Sequence, residues 1–524
     1  MGLERAELIA PQLRAWAERS IVRIRMQLGE GGRVRTRRRR KLLVVHLDGV
    51  PRSVLARAIE DDRMPFLSRL VKSGAYYFDG AFWGSPASTP AFQAGLLYGV
   101  RHPNLPAYTW FDRDQARTIR MNVPRDAHLI ETRVNDQARG NSLLEDGGST
   151  YLSLFSANTA NPLAISSLAH LENLLPRLWA QLKGMRGVRR RNAWEYLRVL
   201  ARDLLGAGTD ALRWVRQVRD HRHELQFLLN RLFVVELGWG LAWSRALIDM
   251  VRGVPAIYLV FGNYDEVAHR RGPFSEQATA ELFKADRALE ELYTMGQVAP
   301  DRYDIILLTD HGHVDSVPFE QRGGQKLEPF LLSPRPAPLP EAVLTALRDG
   351  RELPKGRVRS PEEPVVIESG NFAHVYLTRG AEPLEALDLL GHHRDVLARA
   401  IAHPDIGIVA LRRGNGAVAV VRGRVFAADE IDQAPLSPEF SRRAVADLLR
   451  ELPHMKTAGD LVLFGEAVRR SGTVGFAWEF GSHGGLTRTE TDSVVIWPSD
   501  AGLDLGGLSH STQLHERLSE AYRH

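Results

Sequence analysis

Four short runs dominated by Val, Ile and Leu, KLLVVHL (41–47), AIYLVF (256–261), DIILLT (304–309) and SVVIWP (493–498), stand far apart in a chain of 524 residues. Runs of this length without polar alternation read as strands of a sheet covered on both faces. Helical stretches alternate with them. PFLSRLVKSG follows the first run, and TAELFKADRALEELYTMG (279–296) repeats Leu282, Ala285, Leu289 and Leu292 at helical spacing, which puts one face on the sheet. The pattern predicts an α/β fold with a doubly wound, mostly parallel sheet.

Such a sheet presents functional groups at the carboxyl ends of its strands, and acids and histidines stand at those places here. HLDGV supplies Asp48, YDEVAHRRGP supplies Asp265 and His269, LLTDHGH supplies Asp310 and His311, and a late GSHGG supplies His483. SPASTPAFQAGLLYG adds a hydroxyl, Thr89. Singly, each has an ordinary explanation: a cap after a strand, an i, i+4 pair on a helix surface, a turn, or an N-cap ahead of Pro90. Together they form a set of hard and borderline ligands for two metal ions. These residues run from 48 to 483, so the length beyond a usual domain must be inserted into one core.

In order and in type these residues resemble the alkaline phosphatase superfamily, most closely its nucleotide pyrophosphatase/phosphodiesterase-like branch. The resemblance covers roughly residues 41–500, with insertions. It implies one metal held by Asp48, Thr89, Asp310 and His311, and another held by Asp265, His269 and His483. It also implies a phosphoric ester hydrolase with Thr89 as nucleophile. His313 and Asp315 are expected outside the ligand set, in the surroundings or in solvent. Two divalent cations hold the attacking and leaving oxygens of an in-line displacement, and contact with one makes a threonine alkoxide available near neutral pH. Three imidazoles suit zinc best, with manganese second. A phosphoryl- or nucleotidyl-threonine intermediate follows.

Within the superfamily the sulfatase pattern fails, because Phe92 stands where Arg is required after Ser88-Thr89-Pro90-Ala91. Phosphoglycerate mutases use a Ser nucleophile and a different inserted domain. The diesterase branch often carries Asn three residues after the nucleophile, where this chain has Phe92, so monoesterase and diesterase both stay open. Phe92, Tyr108 and Trp110 are candidates for contact with a base or an acyl chain.

Charge is uneven. Residues 1–41 hold twelve Lys/Arg against four Asp/Glu, which leaves the remainder slightly acidic. The run RTRRRRK (35–41) lacks interleaved aromatics, so nucleic acid is not the expected partner. A basic arm over 1–40 instead suits an anionic membrane surface or plain solvation. Segment 164–253, rich in Leu, Trp and Arg, reads as a helical insertion. A smaller α+β lobe is expected over 333–455, with GIVALRRGNGAVAVVRGRVF as a hairpin, GDLVLFGEA (459–467) as the return to the core, and 501–524 as a C-terminal tail. With no cysteine there are no disulfides or thiolate ligands. With no secretory signal and no long uncharged apolar run, the expected location is cytoplasmic or peripheral at a membrane. The expected substrate is a small phosphate ester or a phospholipid headgroup. The alternative is a catalytically weak phosphatase fold that binds anionic lipid or a protein partner.

Overall fold

The computed structural model describes residues 8–28, 40–160, 162–169, 227, 238–353, 364–468 and 472–523. Its centre is a seven-stranded sheet built from β1 (Lys41–Leu47), β2 (Tyr76–Ala81), β3 (Ser149–Ser153), β4 (Leu163–Ala164), β5 (Ala256–Phe261), β6 (Tyr303–Leu308) and β7 (Ser493–Pro498). They lie side by side as β2-β7-β6-β1-β5-β3-β4. β1 pairs in parallel with β5 and β6, β3 with β5, and β4 with β3. β7 runs against both of its neighbours. The four apolar runs are therefore all strands of one mostly parallel sheet.

Side-chain alternation in β1 feeds two cores. Leu43, Val45 and Leu47 point to one face, and Leu42 and Val44 to the other. The helices that frame the site are α1 (Pro11–Leu28), α2 (Thr89–Tyr98), α3 (Trp239–Arg252), α4 (Asn263–Arg271), α5 (Glu276–Val298) and α6 (Ser511–Tyr522). α5 is capped by Ser275, whose Oγ accepts from Ala278 N at 3.1 Å. Its Leu282, Ala285, Leu289 and Leu292 face the first core together with α1 and α3. α2 and α6 cover the opposite face.

Several sequence boundaries move. The stretch 1–40 is not one solvated arm: α1 buries Leu13, Trp16, Ala17 and Ile24 against the core, and Arg40 pairs with Asp304 at 2.9 Å. Most of RTRRRRK lies outside the described residues, as does most of 164–253. The end of that segment, α3, is a core helix with Ala246, Leu247 and Met250 fully buried. The stretch 501–524 is not a tail either, because Leu514, Leu518 and Tyr522 of α6 are buried and the helix packs on α2.

The second lobe is a six-stranded sheet in the order 365–369, 372–376, 461–465, 406–413, 416–421, 424–427, with every described pairing antiparallel. The hairpin turns at Gly414–Asn415, as its Gly-Asn-Gly predicts. Leu461–Gly465 is an inner strand of this lobe and not the return to the core. An all-buried VLF run fits an inner strand of either sheet, so sequence alone places it in neither. The return comes later, where Gly472–Gly475 and Gly481–Ser482 pair with the two edges of Val314–Pro318 and deliver His483. Among the described residues no helix is long and apolar enough to cross a membrane.

Candidate metal centre

β6, β1 and β5 are adjacent, so their carboxyl ends bring Asp310, Asp48 and the start of α4 to one place. Asp265 and His269 follow one turn apart on α4 and share a face. Thr89 opens α2. Ser88 takes the extended N-cap position, and Pro90 fits the first turn, where no N–H is needed. The Thr89 hydroxyl thus stands at the positive end of a buried helix. Two glycines make the crowding possible. Gly49 has φ +71°, and a Cβ there would come within 2.7 Å of both Asp265 Oδ1 and His313 Cε1. At Gly312 a Cβ would lie 2.0 Å from the Thr489 carbonyl.

All seven residues expected at the metals come together. Thr89 Oγ1 lies 3.4 Å from Asp48 Oδ1 and 3.2 Å from His311 Nε2. His311 Nε2 is also 3.2 Å from Asp310 Oδ2 and 3.7 Å from Asp48 Oδ1. Across the site, Asp265 Oδ2 is 3.6 Å from His269 Nε2, and Asp265 Oδ1 is 3.8 Å from His483 Nε2. The His311 and His483 rings stack with centroids 3.8 Å apart, which joins the two halves.

Surrounding groups fix how these ligands point. His269 Nδ1 faces Glu479 Oε2 at 3.1 Å and the Gly481 carbonyl at 3.2 Å, so Nδ1 carries a proton and Nε2 is the nitrogen turned to the site. Asp310 Oδ1 accepts from the backbone N–H groups of His311 at 2.9 Å and Gly49 at 3.2 Å, and His46 Nε2 stands 3.0 Å away. His46 is held in turn by Tyr258 Oη at 2.7 Å from its Nδ1.

Burial pushes the Asp48 carboxyl well above its usual range, and repulsion from Asp310 and Asp265 adds to it. Asp265 is raised by burial too, although His269 and His311 oppose the rise. For Asp310 burial acts in the same direction but is outweighed by His311 and His46, which hold it low. Burial and neighbouring imidazoles keep His483 and His313 neutral. His269 resists burial because Glu479 and Asp265 raise it to about 10. Asp265 Oδ1, Asp310 Oδ2 and His313 Nε2 are buried without a hydrogen-bond partner. Unpartnered oxygens and bare imidazole nitrogens that converge on one space fit divalent cations with mixed N/O ligation. The groups Asp265/His269/His313/His483 and Asp48/Asp265/His311 each keep their ligand atoms within 4.8 Å of one another.

The aromatic candidates separate. Tyr108 is half-buried, and burial together with the negative charges of Asp48, Asp265 and Glu266 holds its hydroxyl protonated. Phe92, expected as a substrate contact, has its ring in the core. It is buried one helical turn after Thr89, packed on His46 and Trp83 at ring distances of 5.3 and 5.4 Å. Trp110, fully buried, belongs to the core under α2 and is likewise removed from the substrate side. His313, expected outside the ligand set, is fully buried with Nε2 3.3 Å from Asp265 Oδ1. The signal in the sequence is the i, i+2 spacing of His311 and His313 in an extended segment. His46 and Glu479 carried no sequence signal of their own.

No family model and no curated protein matches this chain. Among solved structures, the chain is similar to phosphonoacetate hydrolase from Sinorhizobium meliloti 1021 in complex with phosphonoformate, with 15% identity, 92% of this chain and 96% of that chain covered, and a TM-score of 0.45. It is also similar to murine ectonucleotide pyrophosphatase/phosphodiesterase 5, with 12% identity, 92% and 95% covered, and a TM-score of 0.46. The human ectonucleotide pyrophosphatase/phosphodiesterase 5 gives 12% identity, the same coverage and a TM-score of 0.46.

Proposed function

We propose that this chain is a metal-dependent phosphoric ester hydrolase of the kind its sequence motifs resemble, acting through a phosphoryl- or nucleotidyl-threonine on Thr89. The observation that carries the reading is a hydroxyl at a helix N-terminus, 3.4 Å from the Asp48 carboxylate and 3.2 Å from His311, beside a second acid and histidine group around Asp265. Two divalent cations, zinc before manganese, held by Asp48, Thr89, Asp310 and His311 and by Asp265, His269 and His483, would offset charge on the phosphoryl oxygens and favour the Thr89 alkoxide. Thr89 Oγ bonds to phosphorus as the ester oxygen leaves with the bond pair and takes up a proton. Water then attacks the same phosphorus and returns the hydroxyl to Thr89.

The donors around Thr89 position this hydroxyl without competing for the substrate. Asp310 Oδ1 is occupied by two backbone N–H groups, so only Oδ2 faces the site. Tyr108, held protonated within the field of Asp48 and Asp265, would donate to a substrate oxygen. The substrate class is a small phosphate ester or a phospholipid headgroup. The test is a screen of phosphomonoesters, phosphodiesters and phospholipid headgroups with added zinc or manganese, together with capture of labelled phosphothreonine. Metal-dependent turnover with label on Thr89 supports the proposal. No hydrolysis of any class by metal-loaded protein overturns it.

A further inference from the structure

We propose that His313 is a fourth protein donor at the Asp265 position, so that one divalent cation there is held by three imidazoles and one carboxylate from His269, His313, His483 and Asp265. This deepens the metal reading above and rests on it. His313 lies between β6 and the strand Val314–Pro318, and Gly312, which has no room for a side chain against the Thr489 carbonyl, stands between His311 and His313. The two rings end 5.7 Å apart, with His311 beside Thr89 and His313 beside Asp265.

The hydrogen bonding of His313 fixes which nitrogen is bare. Its Nδ1 lies 2.9 Å from the Gly49 carbonyl, which can only accept, so Nδ1 holds the proton and Nε2 carries a lone pair. That Nε2 is buried, makes no hydrogen bond and faces Asp265 Oδ1, itself without a donor, at 3.3 Å. A ring-nitrogen lone pair and a carboxyl oxygen face each other at contact distance, and neither has a hydrogen-bond partner. His269 repeats the orientation: its Nδ1 proton points at Glu479 and Gly481, and its Nε2 is the nitrogen that faces Asp265 Oδ2, at 3.6 Å. A cation is the group that turns such a convergence of lone pairs from repulsive to attractive.

The spacing agrees. Tetrahedral bonds of about 2.0–2.2 Å place donor atoms roughly 3.3–3.6 Å apart. Asp265 stands 3.3 Å (Oδ1) from His313 and 3.6 Å (Oδ2) from His269, within that range, and 3.8 Å (Oδ1) from His483, just beyond it. The three imidazole centroids form a near-equilateral triangle with sides of 4.7, 4.8 and 5.0 Å. A donor set with three imidazoles selects zinc-class ions over magnesium or calcium.

The test uses the full chain, stripped of metal and titrated with zinc alone by calorimetry, with X-ray absorption to count imidazole nitrogens around bound zinc. His313→Ala and His313→Gln are compared with wild type and with His483→Ala. Circular dichroism of the metal-free proteins checks the fold, and the Gln variant keeps the side-chain volume if Ala does not fold. The expected result is that the His313 variants bind one of two ions more weakly by more than the roughly 10–100-fold typical of losing an orienting partner. The zinc should lose one imidazole, and free imidazole should restore affinity to His313→Ala. A loss within about 100-fold with the imidazole count unchanged would make His313 an orienting neighbour of Asp265 and overturn the proposal. If His483→Ala also leaves zinc binding untouched, the metal reading itself fails, not the role of His313 alone.

Discussion

Asp460, at the seam between the 109–120 hairpin and the second sheet, has both carboxylate oxygens filled by the fold. Oδ1 takes Arg113 Nη2 at 2.7 Å and Leu384 N at 2.8 Å, and Oδ2 takes Leu377 N at 2.7 Å and Thr378 N at 3.2 Å. Arg113 in turn donates to the carbonyls of Lys456 and Ala458, and Arg412 to those of Gly459 and Met455. Asp265 is set among histidines at the end of β5 on the opposite plan. Its Oδ1 has no donor, and its nearest neighbours turn bare nitrogens toward it. Both regions concentrate charge where water is scarce. One is internally paired and holds two elements together, whereas the other leaves acceptors facing a common space and is built to be completed from outside.

The largest expected effect belongs to the open cluster. Thr89→Ala should cut turnover at least about a thousandfold, because a nucleophile acts as a unit with its neighbours. The thermal midpoint of the metal-free protein should barely move, since the hydroxyl is one donor among many. Thr89→Ser should keep part of the rate. A Thr89→Ala protein that hydrolyses its substrate at close to the wild-type rate would remove the functional half of the contrast.

Next come substitutions that should give opposite results in the two clusters. Asp460→Ala leaves Arg113 charged and buried, which costs about 3–5 kcal/mol when one partner of a buried pair is lost. In Asp265→Asn, a carboxylate raised by burial becomes neutral, so the metal-free protein should unfold at the same temperature as wild type or higher while its zinc affinity collapses. Denaturant midpoints of the metal-free proteins measure both. Equal destabilisation would mean that Asp265 is also a structural residue.

Acid should find the closed region through His374, which lies 2% exposed beside Arg412 and Arg113. Its Nδ1 accepts from Gly459 N at 3.2 Å and its Nε2 faces the Pro106 carbonyl at 3.3 Å, so the ring is neutral. Burial, helped by the two guanidiniums, pushes it down to about 4. Unfolded, the ring takes its proton near 6.5, so between about 6.5 and 4 the unfolded state binds more protons. Stability is therefore full above about pH 6.5 and falls as pH drops toward 4, by up to about 3 kcal/mol. In His374→Gln that share of the acid loss should vanish. The check is the difference between the two proteins at pH 7.5 and pH 5, and an unchanged difference would refute it.

The contrast also shows what was legible in the residues. Strands of Val, Ile and Leu with an acid at the end declare both the sheet and where its carboxyl edge lies, so Asp48, Asp265 and Asp310 were readable. His483, in a Gly-rich turn that is a weak signal by itself, was readable only through its place in the order of the motifs. Arg113, Asp460 and His374 were not readable, since closed pairs draw on residues scattered over hundreds of positions with no local pattern. α1 and α6 were missed for a related reason. Their apolar positions alternate with many charges, and burial of a mixed helix is decided by the neighbour that it meets. Phe92 and Trp110 showed the limit of reading aromatic residues near a nucleophile, because proximity in sequence does not tell which side of a helix or hairpin faces the ligand.

Tyr108 is left as the half-buried aromatic residue among the three, and it gives the smallest and most specific effect. Its ring packs on the core under α2, while burial, helped by the negative field of Asp48, Asp265 and Glu266, keeps the proton on its hydroxyl. A proton held there can be donated to an oxygen of the substrate. One hydrogen bond of this kind contributes about 1 kcal/mol, or roughly a fivefold change in binding. Tyr108→Phe should therefore raise KM about fivefold and leave kcat and the unfolding midpoint nearly unchanged. Phe92→Leu and Trp110→Phe, which disturb packing, should lower the midpoint and leave KM alone. If Tyr108→Phe instead lowers stability with KM intact, Tyr108 belongs with the packing residues, and the open cluster would lack an aromatic contact for its substrate from any of the three positions.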